Sequence, residues 1–192
     1  NPLNETSELM LNQGDGTFAL GPMDSASRFA TTPSNPAGLS FIDYDLDGRL
    51  DLWTVHNEVA GPTGLQDQLL AGDGQGGFAN VTEETGLTTL SWLTTTALNS
   101  ATAHSWGWGA LACDLNADGL PELMASVYGR FPNHLWSPQP NTDPLKFTNA
   151  SISSGYAFDE NQEWRDNLSA RCYCADQPTA PDCDTCPPPD NP

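Results

Sequence analysis

The residues of this chain best suited to chemistry are carboxylates at alternate positions of one short loop: Asp43, Asp45, Asp47 and Asp51, with Gly48 at the sixth place. Alternate side chains on a tightly curled loop converge. A glycine at the sixth place lets the backbone turn sharply enough for the carbonyl of Arg49 to face the same point. Such a cage of hard oxygens suits Ca2+, which takes roughly six to eight of them, better than Mg2+, which keeps its waters. A second loop offers Asp114, Asn116, Asp118, Gly119, the carbonyl of Leu120 and Glu122.

The first six residues of each loop also satisfy the EF-hand pattern. An EF-hand needs a bidentate Glu at its twelfth position, where these loops carry Thr54 and Ala125, and it needs flanking helices. The flanks are instead short and β-prone: Phe41 and Ile42 before the first loop, Leu50, Leu52, Trp53 and Val55 after it. The EF-hand reading fails on both counts.

The elements that must hold these loops recur along the chain. A strand, an acidic loop and a second strand run from Gly38 to Val55 and again from Gly109 to Val127. A second module, a hairpin with an Asp-Gly turn, runs from Leu9 to Phe18 and from Leu69 to Phe78, and a degraded copy spans His134 to Phe147. One module of each kind makes four short strands, the content of a propeller blade. The expected architecture is all-β: a half-blade at residues 8–19, blades at 38–80 and 109–149, and an irregular Cys- and Pro-rich tail over 151–192 after a blade region of 1–150. Phe158 to Asn161 offer a weak start to another blade. Residues 87–105, rich in Thr, Ser and Ala, read as a long connection between blades.

The run from Phe41 through Asp43, Asp45, Asp47 and Asp51 to Leu52, together with Asn12 to Phe18, resembles the FG-GAP/VCBS repeat family. These are the calcium-binding blades of integrin-α-like β-propellers. The resemblance covers roughly residues 8–150 and implies Ca2+ at Asp43, Asp45, Asp47 and Asp51, and at Asp114, Asn116, Asp118 and Glu122. Asn116, Pro121 and Glu122 depart from the family pattern, which implies weaker binding in the second loop. Propellers of this kind close with about seven blades, so two and a half imply a chain that does not close on itself and depends on further blades or on copies of itself.

Composition points the same way. The chain has 192 residues, 25 of them acidic and only 6 Lys or Arg, for a formal charge of −19. That charge repels phosphate backbones and anionic membranes, which argues against nucleic acid. No apolar run approaches the ~20 residues that span a bilayer, so membrane insertion is not expected. With so few basic partners, crowded carboxylates call for a divalent cation. The first residue is Asn1, without a basic-then-apolar leader, which reads as a mature chain or a fragment.

Four tail cysteines, Cys172, Cys174, Cys183 and Cys186, fit either two disulfides or a zinc site, and the secreted character of the repeats favours disulfides. Cys113 reads as a small buried hydrophobe. His56, His104 and His134 are scattered and read as structural, and Trp106 and Trp108 as packing groups. Ser105 beside His104 is no evidence of a hydrolase, because adjacency in sequence carries no geometry. Asn4, Asn80, Asn149 and Asn167 head glycosylation sequons.

These readings lead to a non-enzymatic, calcium-binding extracellular module for adhesion, partner binding or extracellular structure, with a protein or glycan partner. The alternatives are a subunit that assembles into a filament or surface layer by exchanging strands or tail, and a fragment of a secreted propeller enzyme.

Overall fold

The structure is a computed structural model and describes residues 6–28, 36–57, 66–90, 95–127, 131–158, 171, 174–180 and 183. It is all-β apart from one short helix and isolated helical turns. β1 (Met10–Asn12) and β2 (Phe18–Leu20) form a two-stranded hairpin. β3 (Pro36–Ile42), β4 (Asp51–His56), β5 (Gln68–Gly72) and β6 (Phe78–Asn80) form an antiparallel sheet in chain order, as do β7 (Gly107–Cys113), β8 (Glu122–Val127), β9 (His134–Gln139) and β10 (Lys146–Asn149). The strands expected from the repeats are therefore present, two, four and four to a sheet, every neighbouring pair antiparallel.

The two large sheets are near copies in detail. Phe41 pairs with Leu52 in the first and Leu111 with Met124 in the second, and each inner strand carries one register shift, at Pro36/Gly38 and at Gly107/Gly109. The Asp-Gly turns work as hairpin turns because their glycines take the left-handed conformation, with φ of 84° and 90° at Gly14 and Gly16 and of 75° and 93° at Gly74 and Gly76.

β4 is buried on both faces. Trp53, Val55 and Leu69 of the first sheet pack with Leu123, Ala125, Trp136 and Phe147 of the second, which forms one core between the sheets. The inner strands come very close there: a Cβ on Gly38 would lie 2.6 Å from the backbone nitrogen of Ala110, and one on Gly107 would lie 1.9 Å from Cγ1 of Val55. Only glycine admits this approach. Burial of a residue such as Leu69 or Leu123, each fully inaccessible, contributes roughly 1.5–3 kcal/mol.

The connection at 87–105 contains α1 (Thr95–Asn99), an element the Thr-rich composition does not announce. Ala97, Ala103 and Phe131 gather there with Cys174 and Cys183 into a second small core, against which Trp106, Val127 and Phe158 pack. Cys174 and Cys183 are joined in a disulfide, while Cys172 and Cys186 lie outside the described residues. Residues 151–157 make turns and a bend, with no strand before Phe158, and residues 159–161 lie outside the described set. Cys113 is a free thiol at the end of β7, half-buried and not enclosed as its sequence context suggests. Of the two Trp residues read as packing groups, Trp106 lies against Phe131, centroids 5.1 Å apart, whereas Trp108 is 55% exposed. No described helix is long and apolar enough to cross a membrane.

Candidate metal centre

Both acidic loops join the inner strand of a sheet to its second strand, and they share one set of backbone bonds. Gly48 N–H donates to Asp43 Oδ2 at 3.0 Å and Gly119 N–H to Asp114 Oδ2 at 2.9 Å. Tyr44 N–H donates to Asp51 Oδ2 at 2.9 Å and Leu115 N–H to Glu122 Oε2 at 2.8 Å. Arg49 and Leu120 donate to Asp47 and Asp118. Leu46 and Ala117 each take a left-handed φ near 60°, at 62° and 61°, followed two residues later by Gly48 and Gly119 at 86° and 90°. The carboxylates fold inward because each caps a backbone amide of its own loop: Asp43, Asp47, Asp114 and Asp118 cap later residues, and Asp51 and Glu122 reach back to Tyr44 and Leu115.

In the first loop, ligand oxygens of Asp43, Asp45 and Asp51 lie within 4.8 Å of one another, the one such cluster of three among the described residues. Asp51 is 1% exposed and fixed from two sides, since Gly72 N–H at the end of β5 donates to its other oxygen at 2.8 Å. Oδ1 of Asp43 is buried and accepts no hydrogen bond. Burial, above all, pushes the carboxyl of Asp51 upward, with the charges of Asp45 and Asp47 adding to it against the pull of the Gly72 and Tyr44 amides. Burial also raises Asp45, helped by Asp47 and Asp43. Tyr44 is pushed up to about 12, first by burial and then by the charges of Asp45 and Asp51. An orphaned buried carboxylate oxygen beside two crowded carboxylates is a donor set that fits a hard divalent cation.

Asp47 stands apart from that cluster. Its carboxylate forms an ion pair with Arg49 Nη2, and Arg49 Nε donates to Gly72 O at 3.0 Å, which ties the loop to the end of β5. Loop spacing points to the carbonyl of Arg49; its guanidinium has a place of its own, neutralising the fourth aspartate.

The second loop is arranged differently. The amide of Asn116 donates to Asp118 Oδ2 and to Glu122 Oε1, both at 3.0 Å, and so occupies the space between the carboxylates. The cause lies in β9. By the pairing of Leu52 with Leu70 and of Leu123 with Trp136, the position equivalent to Gly72 is Pro138, which has no N–H to give. The longer Glu122 accepts from Asn116 where Asp51 accepts from Gly72.

The three histidines that look scattered in sequence come together at the far ends of the strands from these loops. His56 closes β4, His134 opens β9 and His104 lies between α1 and β7, and their exposures are 0%, 0% and 7%. Burial, with the nearby His56, lowers His104 to about 4. Burial, with His104, lowers His134 to about 3. Beside them Asp67, which accepts from His56 N–H at 2.9 Å, is raised by burial to about 8. No spacing rule in the sequence brings these residues together, because they meet only through the seam between the sheets. They form no cluster with metal-ligand geometry among the described residues.

Comparison of the chain with protein-family models and with curated proteins returns no match.

Proposed function

We propose that this chain is a calcium-binding, non-enzymatic extracellular module whose sheets are blades of a β-propeller, acting in adhesion, partner binding or extracellular structure. The observation that carries the reading is the convergence of Asp43, Asp45 and Asp51, with Asp43 Oδ1 buried and unpartnered. Those three residues form the nucleus of the first site. Asp47 and the carbonyl of Arg49 complete it in the reading from loop spacing. Asp114, Asn116, Asp118, the carbonyl of Leu120 and Glu122 would hold a second ion more weakly, because the Asn116 amide must first give up its two carboxylates.

A bound Ca2+ supplies positive charge to a loop that, among the described residues, has one cationic side chain in contact with it, Arg49. The chain's own residues do the rest. The amides of Tyr44, Gly48 and Gly72 hold the carboxylates in place before any ion arrives, so little ordering remains to oppose binding. Because the loop connects β3 to β4, the ion's binding energy stabilises the strand pair at the centre of the core. The disulfide Cys174–Cys183 supports an oxidising, extracellular setting.

Calcium titration calorimetry tests the reading, with D43N as the control variant. Saturable heat in the wild-type protein that D43N abolishes is the expected result. Equal heat in both proteins, or none in either, contradicts it.

A further inference from the structure

The hairpin β1–β2 repeats the bonds of β5–β6. Gly21 N–H donates to Leu9 O at 2.8 Å as Val81 N–H does to Leu69 O at 2.9 Å, and Gln13 N–H donates to Thr17 O as Asp73 N–H does to Gly77 O, both at 3.0 Å. The hairpin also sits on its neighbour in the same way. The turn after β6 docks on the second sheet where Phe147 N–H donates to Thr85 O at 2.8 Å, and the turn after β2 docks on the first sheet where Phe78 N–H donates to Ser25 Oγ at 3.1 Å. The β1–β2 hairpin therefore has the place of the outer half of a sheet stacked on β3–β6. No described strand pairs with β1 as β4 pairs with β5.

Two surfaces mark where the inner half belongs. Leu9 bonds toward β2, so by the alternation of an antiparallel ladder the N–H and C=O groups of Met10 and Asn12 point to the other side, where they meet no described strand. Beside that edge, a pocket of about 310 Å³ opens between Leu9 and the face of the first sheet turned away from the second, lined by Pro36, Leu39, Phe41, Leu52 and Thr54. Leu39 and Phe41 are 60% and 46% exposed. Counted back from the acidic loop, Ala110 and Ala112 hold the same places in the second sheet, and there they pack in the core against the inner strands of the first.

We infer that this edge and pocket bind a β-hairpin of another polypeptide, an apolar strand, acidic loop and apolar strand of the β3–β4 kind, which completes the sheet. The inference rests on the reading of the sheets as blades and uses none of the metal ligands. By the pairing of Leu52 with Leu70 and of Thr54 with Gln68, the incoming strand lies antiparallel opposite Met10 and Glu8. Main-chain bonds to the open edge supply affinity, and its alternate side chains over Leu39 and Phe41 supply specificity. Leu39 and Phe41 are larger than Ala110 and Ala112, so the side chains that meet them are smaller than Trp53. A small apolar ligand or a helix would cover the backbone groups of Met10 and Asn12 without pairing them. A second copy does not fit either, because its two large sheets already pair their strands four by four, and lending two of them would dismantle the core.

The test is amide hydrogen exchange by NMR on the full chain in excess Ca2+, with two synthetic hairpins as probes: the peptide of residues 36–57 and the same peptide carrying Trp53→Val. Saturable binding of either peptide that slows exchange at Met10 and Asn12 at least tenfold, with Leu11 on the β2 side unchanged, supports the inference. In the full chain, M10P removes the outward N–H without touching the bonds to β2, and F41K places a charge on the exposed face; each should weaken peptide binding at least tenfold, and an unchanged melting temperature shows that the variant folds. Light scattering on the chain alone reads the other occupants. A dimer with Met10 and Asn12 protected assigns the edge to a second copy, and a monomer with them protected assigns it to this chain's own residues outside the described set. Either result overturns the inference, as does the absence of saturable peptide binding. Calcium heat that D43N abolishes, found together with no peptide binding, counts against the hairpin alone.

Discussion

The indole Nε1–H of Trp53 donates to the carbonyl oxygen of Met124 across 2.9 Å, and this one bond joins the second strand of the first sheet to the second strand of the second. Trp53 is fully buried and Met124 nearly so, so neither group can turn to water instead. W53F keeps most of the apolar contact and leaves the Met124 carbonyl without its partner. A loss of about 1–3 kcal/mol in urea unfolding is expected, and a change within error would show that the bond contributes nothing net.

The two glycines at the seam make a sharper prediction. In G107A the new methyl meets Val55 Cγ1 and in G38A it meets the backbone of Ala110, which cannot swing aside. Both variants should lose roughly 1–3 kcal/mol or more, G38A at least as much as G107A because a side chain can shift where backbone cannot. Gly48 and Gly119 differ: no atom would crowd a Cβ there, and the cost of substitution is the left-handed φ alone, about 1–2 kcal/mol.

Stability should depend on pH through the buried histidines and Asp67. His104 and His134 titrate near 6.5 when unfolded and at about 4 and about 3 when folded, so the unfolded chain binds more protons and stability falls as pH drops below 6.5. Asp67 runs the other way. Its folded value of about 8 exceeds the unfolded 3.8, so its contribution is complete in acid and is lost as pH rises through 8. D67N should therefore gain on the wild type by about 1.4 kcal/mol per pH unit between pH 6.5 and 8. Parallel stability curves for the two proteins over that range would contradict the assignment.

Much of this was legible in the sequence. The strands follow from the two repeated modules, apolar segments on either side of the acidic loops and of the Gly-rich hairpin turns, and the aspartates of the two loops announce themselves by spacing. What spacing could not tell was which carboxylates meet. Asp47 pairs with Arg49, and Asn116 spans Asp118 and Glu122 because Pro138 replaces the donor that Gly72 supplies in the other sheet. Those outcomes depend on strands β5 and β9, distant in sequence from the loops. The gathering of His56, His104 and His134, and the packing of the Cys174–Cys183 bridge on Ala97 and Phe131, depend likewise on contacts between segments that carry no common motif.

The bridge gives another test. It closes a loop of sequence separation 9, for which chain-entropy arguments give roughly 2–3 kcal/mol. C174S/C183S should lower stability by about that amount. A wild-type melt insensitive to reductant would mean that the bridge constrains little.

The claim on which the account rests is that the first acidic loop folds around a divalent cation. Differential scanning calorimetry of the wild type and of D51N, each in excess Ca2+ and in excess chelator, tests it most directly. The prediction is a melting temperature several degrees higher with Ca2+ in the wild type and a much smaller difference in D51N. Coincident wild-type melting curves with Ca2+ and with chelator would contradict it.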